Sequence, residues 1–442
     1  MQKKNDSALS SVPSSERQHW TVPAIIFGGL EFAVPVIMVG ATLAGSFSLT
    51  SIFFILLIGL VIIQWIGNAF QGYLGAKTGR PSSVIARSSF GSIQARFVVG
   101  LALVILNVGW FGLNTAVAGN ALSVTLGIDY NQNWLIWAVI TLITGLLFAL
   151  PAVLGYNSMK WTDYIAVPAG IILISAAVYF ALSDVGWSTI LSWDPEPSMT
   201  IFGAISLVLG ANVAQWLIAS DYTRYSKPTM KDQSLIPLGV VVIGLLFFMT
   251  GAIMSVGVGD PDIVAVMQQL GFPVWGFLIL YVALWTSQIV ASYSVGLAAA
   301  NMFNIDSSKG RAILTIIGSL LGVVLALVGI LTYFEEFLIL LAVIYPAIAA
   351  VMFADFFFIR NQEWVDNKGW NWIATIAVLS GALVGYLTEY VFIFGIPALQ
   401  SLAISAIVYL AGMKLKSKVK PDRFTEPNVY NNYQNADEVA NK

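Results

Sequence analysis

The 442-residue chain contains no cysteine and a single histidine, His19. Without thiols, disulfides, thiolate metal sites and a cysteine nucleophile are excluded. One histidine in the N-terminal tail leaves neither a histidine-ligated metal site nor a Ser-His-Asp triad for the rest of the chain. Charge is scarce as well: Asp, Glu, Lys and Arg make up 10% of the residues, against roughly 25% in soluble proteins. The net charge of -2 offers no basic surface to nucleic acid. There is no G-x-x-x-x-G-K-[ST] loop to hydrolyse a nucleotide, so an ion gradient is the expected energy source. The opening MQKKNDSALSSVPSSERQHW has no apolar core or small-residue cleavage site, and reads as a cytoplasmic tail rather than a signal peptide.

What the chain has in abundance is apolar length. Hydrophobic residues make up 58%, with 38 glycines and 14 tryptophans, the composition of helices packed in lipid with tryptophan at the interface. Stretches near the ~20 residues that cross a bilayer recur about twelve times, at about 21–45, 49–75, 95–126, 133–154, 162–184, 200–222, 235–258, 274–303, 312–331, 333–359, 371–392 and 394–413. With these spans all 21 lysines and arginines fall in the tails or in even-numbered loops, including Lys77, Arg80, Arg87 and Arg96 in one and Arg224, Lys227 and Lys231 in another. The odd loops carry only acids, among them Asp129, Asp184, Asp194, Glu196, Asp260, Asp262, Glu335 and Glu336. Cations favour the cytoplasmic side, so both termini are expected inside an inner (cytoplasmic) membrane. The expected organisation is a tail over 1–20, an all-α transporter domain over 21–413 and a tail over 414–442, its Asn-rich end from Pro421 disordered.

Four segments carry candidate chemistry. In the first span, Gly28 and Gly29 precede Glu31 and Pro35, a pattern that weakens the helical ladder where broken backbone is tolerated only around a cavity. At about 1.5 Å per residue from Arg17, Glu31 lies on the order of 20 Å inward. An ionisable group there is a functional candidate by default; a protonated acid bonded to a neighbouring helix is the alternative. The sixth span repeats the theme with Gly210 before Asn212, Gln215 and Trp216. Paired glycine-interrupted helices point to an inverted-repeat transporter with its site between them, although either glycine alone could serve packing.

In the third span, Trp110 and Asn114 are four apart and share a helix face, an aromatic plate beside an amide that suits a flat heterocycle. Trp110 could otherwise be an interfacial anchor. In the eighth, Ala283-Leu284-Trp285-Thr286-Ser287-Gln288 offers two adjacent hydroxyls as hard oxygens for sodium, or else for bonds to their own helix carbonyls.

These segments, with the run Gly72-Tyr73-Leu74-Gly75-Ala76-Lys77-Thr78-Gly79, Ala86-Arg87-Ser88-Ser89-Phe90-Gly91, Asp221-Tyr222-Thr223-Arg224-Tyr225 and Phe353-Ala354-Asp355-Phe356, resemble the nucleobase-cation-symporter family of cytosine permeases and hydantoin transporters over nearly the whole chain. The resemblance implies two inverted five-helix repeats, about 21–184 and 200–359, followed by two extra helices over about 371–413. It also implies alternating access and substrate held at the breaks of the first and sixth helices. It maps sodium to the carbonyls of Gly29, Phe32 and Ala283 and the hydroxyls of Thr286 and Ser287. The family's stacking tryptophan falls on Trp110, and Asn114 stands where hydantoin transporters place an amide. The chain departs from cytosine permeases at Asn212, which replaces an aromatic ring, at Glu31, which replaces a small hydroxyl residue, and at Ala283, which replaces an asparagine. An ionised Glu31 would favour an amidine-like edge or exocyclic amine; a protonated one would imply proton coupling.

The expectation is therefore a sodium-coupled importer of a nucleobase or related nitrogen heterocycle, not an enzyme, needing no organic cofactor and no protein partner beyond the lipid bilayer. Its pocket candidates are Glu31, Phe32, Trp110, Asn114, Asn212, Gln215, Trp216 and Gln288. The alternatives are a proton-coupled carrier of a thiamine precursor or an allantoin- or hydantoin-like compound, and an amino-acid symporter of the same helix scheme. A channel lacks a continuous polar pore, and a membrane enzyme lacks an acid/base pair.

Overall fold

The computed structural model describes residues 9–31, 33–130, 132–256 and 263–419. Phe32, Asp260, Asp262 and the tail from 420 onward lie outside the described residues. Among those described there is no strand, only an isolated bridge between Gln18 and Ser226. Eleven helices are long and apolar enough to cross a membrane: Leu49–Thr78, Ser92–Thr125, Trp134–Leu154, Pro168–Val185, Ile201–Thr223, Met230–Ser255, Val274–Phe303, Ser308–Leu327, Ile330–Ile359, Trp372–Tyr390 and Pro397–Lys418. Thr21–Leu30 and Pro35–Ala44 form a twelfth crossing, bent by 58°. Their outer faces carry exposed Leu, Ile and Phe, such as Leu135 at 71% and Phe358 at 72%, a surface that only lipid solvates without penalty.

Local chemistry sets the helix ends. The side chains of Ser48, Thr200 and Ser307 each accept from the backbone N–H three residues on, filling donors that the helix start leaves open. The Leu49–Thr78 crossing stops at Gly79, which takes a left-handed φ of 70°. At one end of the bundle, carbonyls at the finish of even-numbered crossings meet arginines. Arg17 donates to Ala76 O (2.6 Å) and Ser226 O (2.8 Å), Arg96 to Met302 O (2.8 Å), and Arg311 to Ala152 O (3.0 Å). The negative pole of each helix thus draws cations to the end where these crossings finish, a local reason for the segregation seen in the sequence.

The packing partners reveal the architecture. The first crossing packs on the seventh and the sixth on the second; the third packs on the ninth and the eighth on the fourth; the first meets the fifth and the sixth meets the tenth. This pattern maps onto itself when crossings one to five exchange with six to ten. Because each unit holds an odd number of crossings, the second must enter the bilayer from the opposite side, which makes the repeats inverted. The eleventh and twelfth pack on each other and on the tenth, outside this symmetry. The first and seventh crossings touch backbone to backbone: a Cβ on Gly239 would overlap the Ala24 carbonyl.

Candidate binding site

The first crossing stops being helical after Leu30 and resumes at Val34, with Ala33 extended at φ -115° and ψ 130° and a proline in the first turn of the resumed helix. The sixth is interrupted more gently. Its helix covers Ile201–Asn212 and Gln215–Thr223, with Trp216 N turned to Val213 O (3.0 Å) and Leu217 N to Ala214 O (3.0 Å). That tight turn releases the Asn212 carbonyl from its helical partner, and Gln64 Nε2 of the second crossing takes it at 2.8 Å. The interruption therefore falls after Gly210 rather than at it. Gly210 serves packing, since a Cβ there would come within 2.9 Å of Leu338 O. Gly28 likewise lies against Gly239 O, at 3.3 Å from where its Cβ would be.

Between the two interruptions is a cavity with about 480 Å³ of non-atom space, including what opens to solvent. Glu31, Trp110, Asn114, Asn212, Gln215 and Ser287 all line it. Glu31 has no exposed surface, and no lysine or arginine pairs with it among the described residues. Amides solvate it instead. Gln215 Nε2 donates to Oε1 at 2.6 Å. In one sense of its amide Asn212 Oδ1 accepts from Gln215 Nε2 at 3.0 Å; in the other its nitrogen donates to the same Glu31 oxygen at 2.7 Å. Trp110 is braced edge-on by Phe337 of the tenth crossing at 5.8 Å between ring centres. Asn114 donates to Trp110 O at 3.1 Å, and its Oδ1 is buried without a partner.

Trp216 and Gln288 are not brought to this cavity. The Trp216 indole donates to Gln64 O (3.3 Å) and fills the notch left by Gly67, so it faces the second crossing. Gln288 Nε2 donates to Phe111 O (3.0 Å) and Thr115 Oγ1 (2.5 Å), against the third. Phe32 lies outside the described residues.

Next to the cavity, oxygens from two crossings converge. Thr286 Oγ1 is 2.8 Å from Gly29 O and 3.1 Å from Ala283 O, while Ser287 Oγ bonds Leu284 O at 3.3 Å. The all-oxygen donor set suits a hard cation, and the Gly29 carbonyl that joins it comes from the last turn before the break.

Sequence reasoning passed over several residues. Asn107 lines the cavity one turn before Trp110, and Asn107, Trp110 and Asn114 share a face at spacings of three and four. On the second crossing Gln64, Asn68 and Gln71 form a buried amide stripe at similar spacing. Asn68 Nδ2 donates to Gln215 Oε1 (2.9 Å), and Gln71 Nε2 to Leu217 O (3.0 Å) and Ser220 Oγ (2.8 Å). The signal was available: amides recurring on one face of an otherwise apolar helix.

Residues 11–433 match the family model described as permease for cytosine/purines, uracil, thiamine, allantoin. The chain belongs to this permease family. It is 27% identical to the cytosine permease of Escherichia coli (strain K12) over 392 residues, covering 87% of this chain and 90% of the relative. It is 24% identical to the allantoin permease of Bacillus subtilis (strain 168), covering 76% of each. In fold it is similar to Mhp1, described as a nucleobase-cation-symport-1 family transporter in a closed conformation with bromovinylhydantoin bound, with a TM-score of 0.78, 19% identity and coverage of 93% of this chain and 96% of that one. A Na+-coupled sialic acid symporter aligns with a TM-score of 0.67 at 14% identity, covering 93% of each chain. The protein is thus a multi-pass membrane permease that moves its substrate rather than transforming it.

Proposed function

We propose that this permease imports a nucleobase-like nitrogen heterocycle together with sodium, by alternating access across the cytoplasmic membrane with both termini inside. The observation that carries the reading is the meeting, at the breaks of the first and sixth crossings, of an indole, four amides and a carboxylate in one cavity beside the Gly29, Ala283 and Thr286 oxygens. Trp110 would stack on the ring, while Asn114 and Glu31 would bond its edges. Sodium, as co-substrate, would be held by the Gly29 and Ala283 carbonyls and the Thr286 hydroxyl, with Ser287 adjacent. Bridging the broken first crossing to the eighth in this way would favour the form that binds substrate, and linkage then makes substrate raise sodium affinity equally. The names of the relatives, cytosine and allantoin permease, support a heterocycle, and the segregated cations support the orientation.

Glu31 favours a second reading. A buried carboxyl without a cation partner is a group suited to exchange a proton, which would couple transport to a proton gradient. Uptake of radiolabelled cytosine, adenine, uracil, hydantoin and allantoin into proteoliposomes tests both. Saturable uptake driven by an inward sodium gradient is expected. Uptake driven equally well by a pH gradient in sodium-free buffer would replace sodium with the proton, and no saturable uptake of any of these compounds would overturn the reading.

A further inference from the structure

Gln288 ties two crossings together at the height of the cavity. It follows Thr286 and Ser287 directly on the eighth crossing, and its Nε2 donates to Phe111 O (3.0 Å) and Thr115 Oγ1 (2.5 Å) on the third. Phe111 and Thr115 are in turn the residues that follow Trp110 and Asn114, both of which line the cavity. One amide therefore joins the neighbours of the Thr286 and Ser287 oxygens to the neighbours of the indole and the Asn114 amide. A side-chain nitrogen held by two acceptors on one helix fixes the height and rotation of its own helix against that one, whereas apolar contacts are non-directional and let the two slide.

Stability gives no reason for an amide here. Gln288 has no exposed surface, and its Oε1 is buried without a partner. An acceptor stranded in this way is penalised, and a leucine of similar size would pack without the penalty. The same turn of the eighth crossing is also tied to the fourth, where the Trp285 indole donates to Phe148 O at 3.2 Å and the rings stack at 5.5 Å between centres. The fourth crossing contributes no described residue to the cavity. The tie through Gln288 is the one that leads to the binding site.

We propose that Gln288, with Thr115 as its acceptor, is a positioning residue for coupling, which makes the crossing that carries the Thr286 oxygen and the crossing that carries Trp110 move as one body. The inference rests on the sodium-coupled reading above and deepens it. Sodium would bridge the first crossing to the eighth, and substrate would bridge the first and sixth to the third. With the third and eighth locked, forming either bridge sets the gap that the other must span; with the lock gone, each bridge forms alone. Gln288 touches neither sodium nor substrate. Its loss leaves both able to bind and removes their effect on one another, unlike the loss of a ligand or a loosening of the fold.

The test reads three affinities of the purified full-length protein by titrated thermal shift: sodium chloride alone, a heterocycle alone, and the heterocycle with sodium. The heterocycle is the tightest binder among cytosine, adenine, uracil, hydantoin and allantoin. Wild type is expected to bind it at least about fivefold more tightly with sodium. In Gln288→Leu that ratio should fall to within about twofold of one, while sodium alone and heterocycle alone each bind within about threefold of wild type. Thr115→Val should lower the ratio likewise, Thr115→Ser, which keeps the hydroxyl, should restore it, and Trp285→Phe, which breaks the tie to the fourth crossing, should leave it intact. A wild-type ratio in Gln288→Leu or Thr115→Val would overturn the inference. So would an equal fall in Trp285→Phe, or a loss of sodium binding alone in Gln288→Leu. If the wild type binds the heterocycle equally with and without sodium, the sodium reading falls and this inference with it; if it binds none of the five, the heterocycle reading falls too. Thr115→Val and its serine counterpart decide the matter if Gln288→Leu does not fold.

Discussion

Gln215 Nε2 reaches Glu31 Oε1 at 2.6 Å and so joins the two interrupted crossings at the cavity wall. The bond is charge-assisted when the carboxylate is ionised and is worth about 1.5–3 kcal/mol in the folded site. Glu31→Gln keeps the shape but removes the charge. Competition by an amino heterocycle should weaken by about tenfold or more, while apparent thermal stability changes little. Wild-type affinity in this variant would rule out contact between Glu31 and substrate.

Trp110 and Trp216 should separate cleanly. Trp110→Ala should weaken substrate binding by about 1–3 kcal/mol, the usual worth of a base–aromatic stack, as read by substrate-induced thermal shift. Trp216→Phe keeps most of the ring that fills the notch at Gly67 but loses the bond to Gln64 O. Its main effect should be a lower apparent Tm without loss of affinity.

Sodium dependence should pass through one hydroxyl. Thr286→Val is nearly isosteric and removes the only side-chain oxygen within reach of both Gly29 O and Ala283 O among the described residues. Substrate affinity measured with and without sodium should then differ by a factor of about one, whereas wild type should bind more tightly with sodium.

The seam between the first and seventh crossings allows a stability prediction. Gly239→Val forces a branched side chain into the Ala24 backbone and should cost at least about 1–3 kcal/mol, seen as a lower apparent Tm in detergent. Gly244→Ala is different in kind. Its Cβ would come within 2.8 Å of Glu31 Oε2, so it should disturb substrate affinity more than stability.

Hydropathy alone made the crossings legible, because a stretch of Leu, Ile and Val long enough to span lipid has few other uses. The charge pattern then fixed their number, as a missed span would have scattered the cations. The cavity was legible in part: Glu31, Trp110 and Asn114 stood out as polar or aromatic groups too deep to be solvated. What the chain alone did not show was direction. Trp216 is only four residues after Asn212, yet the tight turn at Val213–Ala214 rotates it toward the second crossing. Gln288 follows the candidate hydroxyls directly but points at Phe111 and Thr115, since neighbours on a helix diverge by about 100°. Glycine was ambiguous for the same reason: Gly28 and Gly210 give close contact with other helices, and no rule of spacing distinguishes that use from a break.

The paired bonds between the second and sixth crossings, Gln64 Nε2 to Asn212 O and the Trp216 indole to Gln64 O, act as a splint. A splinted joint does not flex unless its neighbour flexes with it, so the Gln215–Thr223 half of the sixth crossing and the second form one lever. Compliance is left to the 58° elbow of the first crossing, where Glu31 rides on one arm and the Gly29 oxygen marks the pivot.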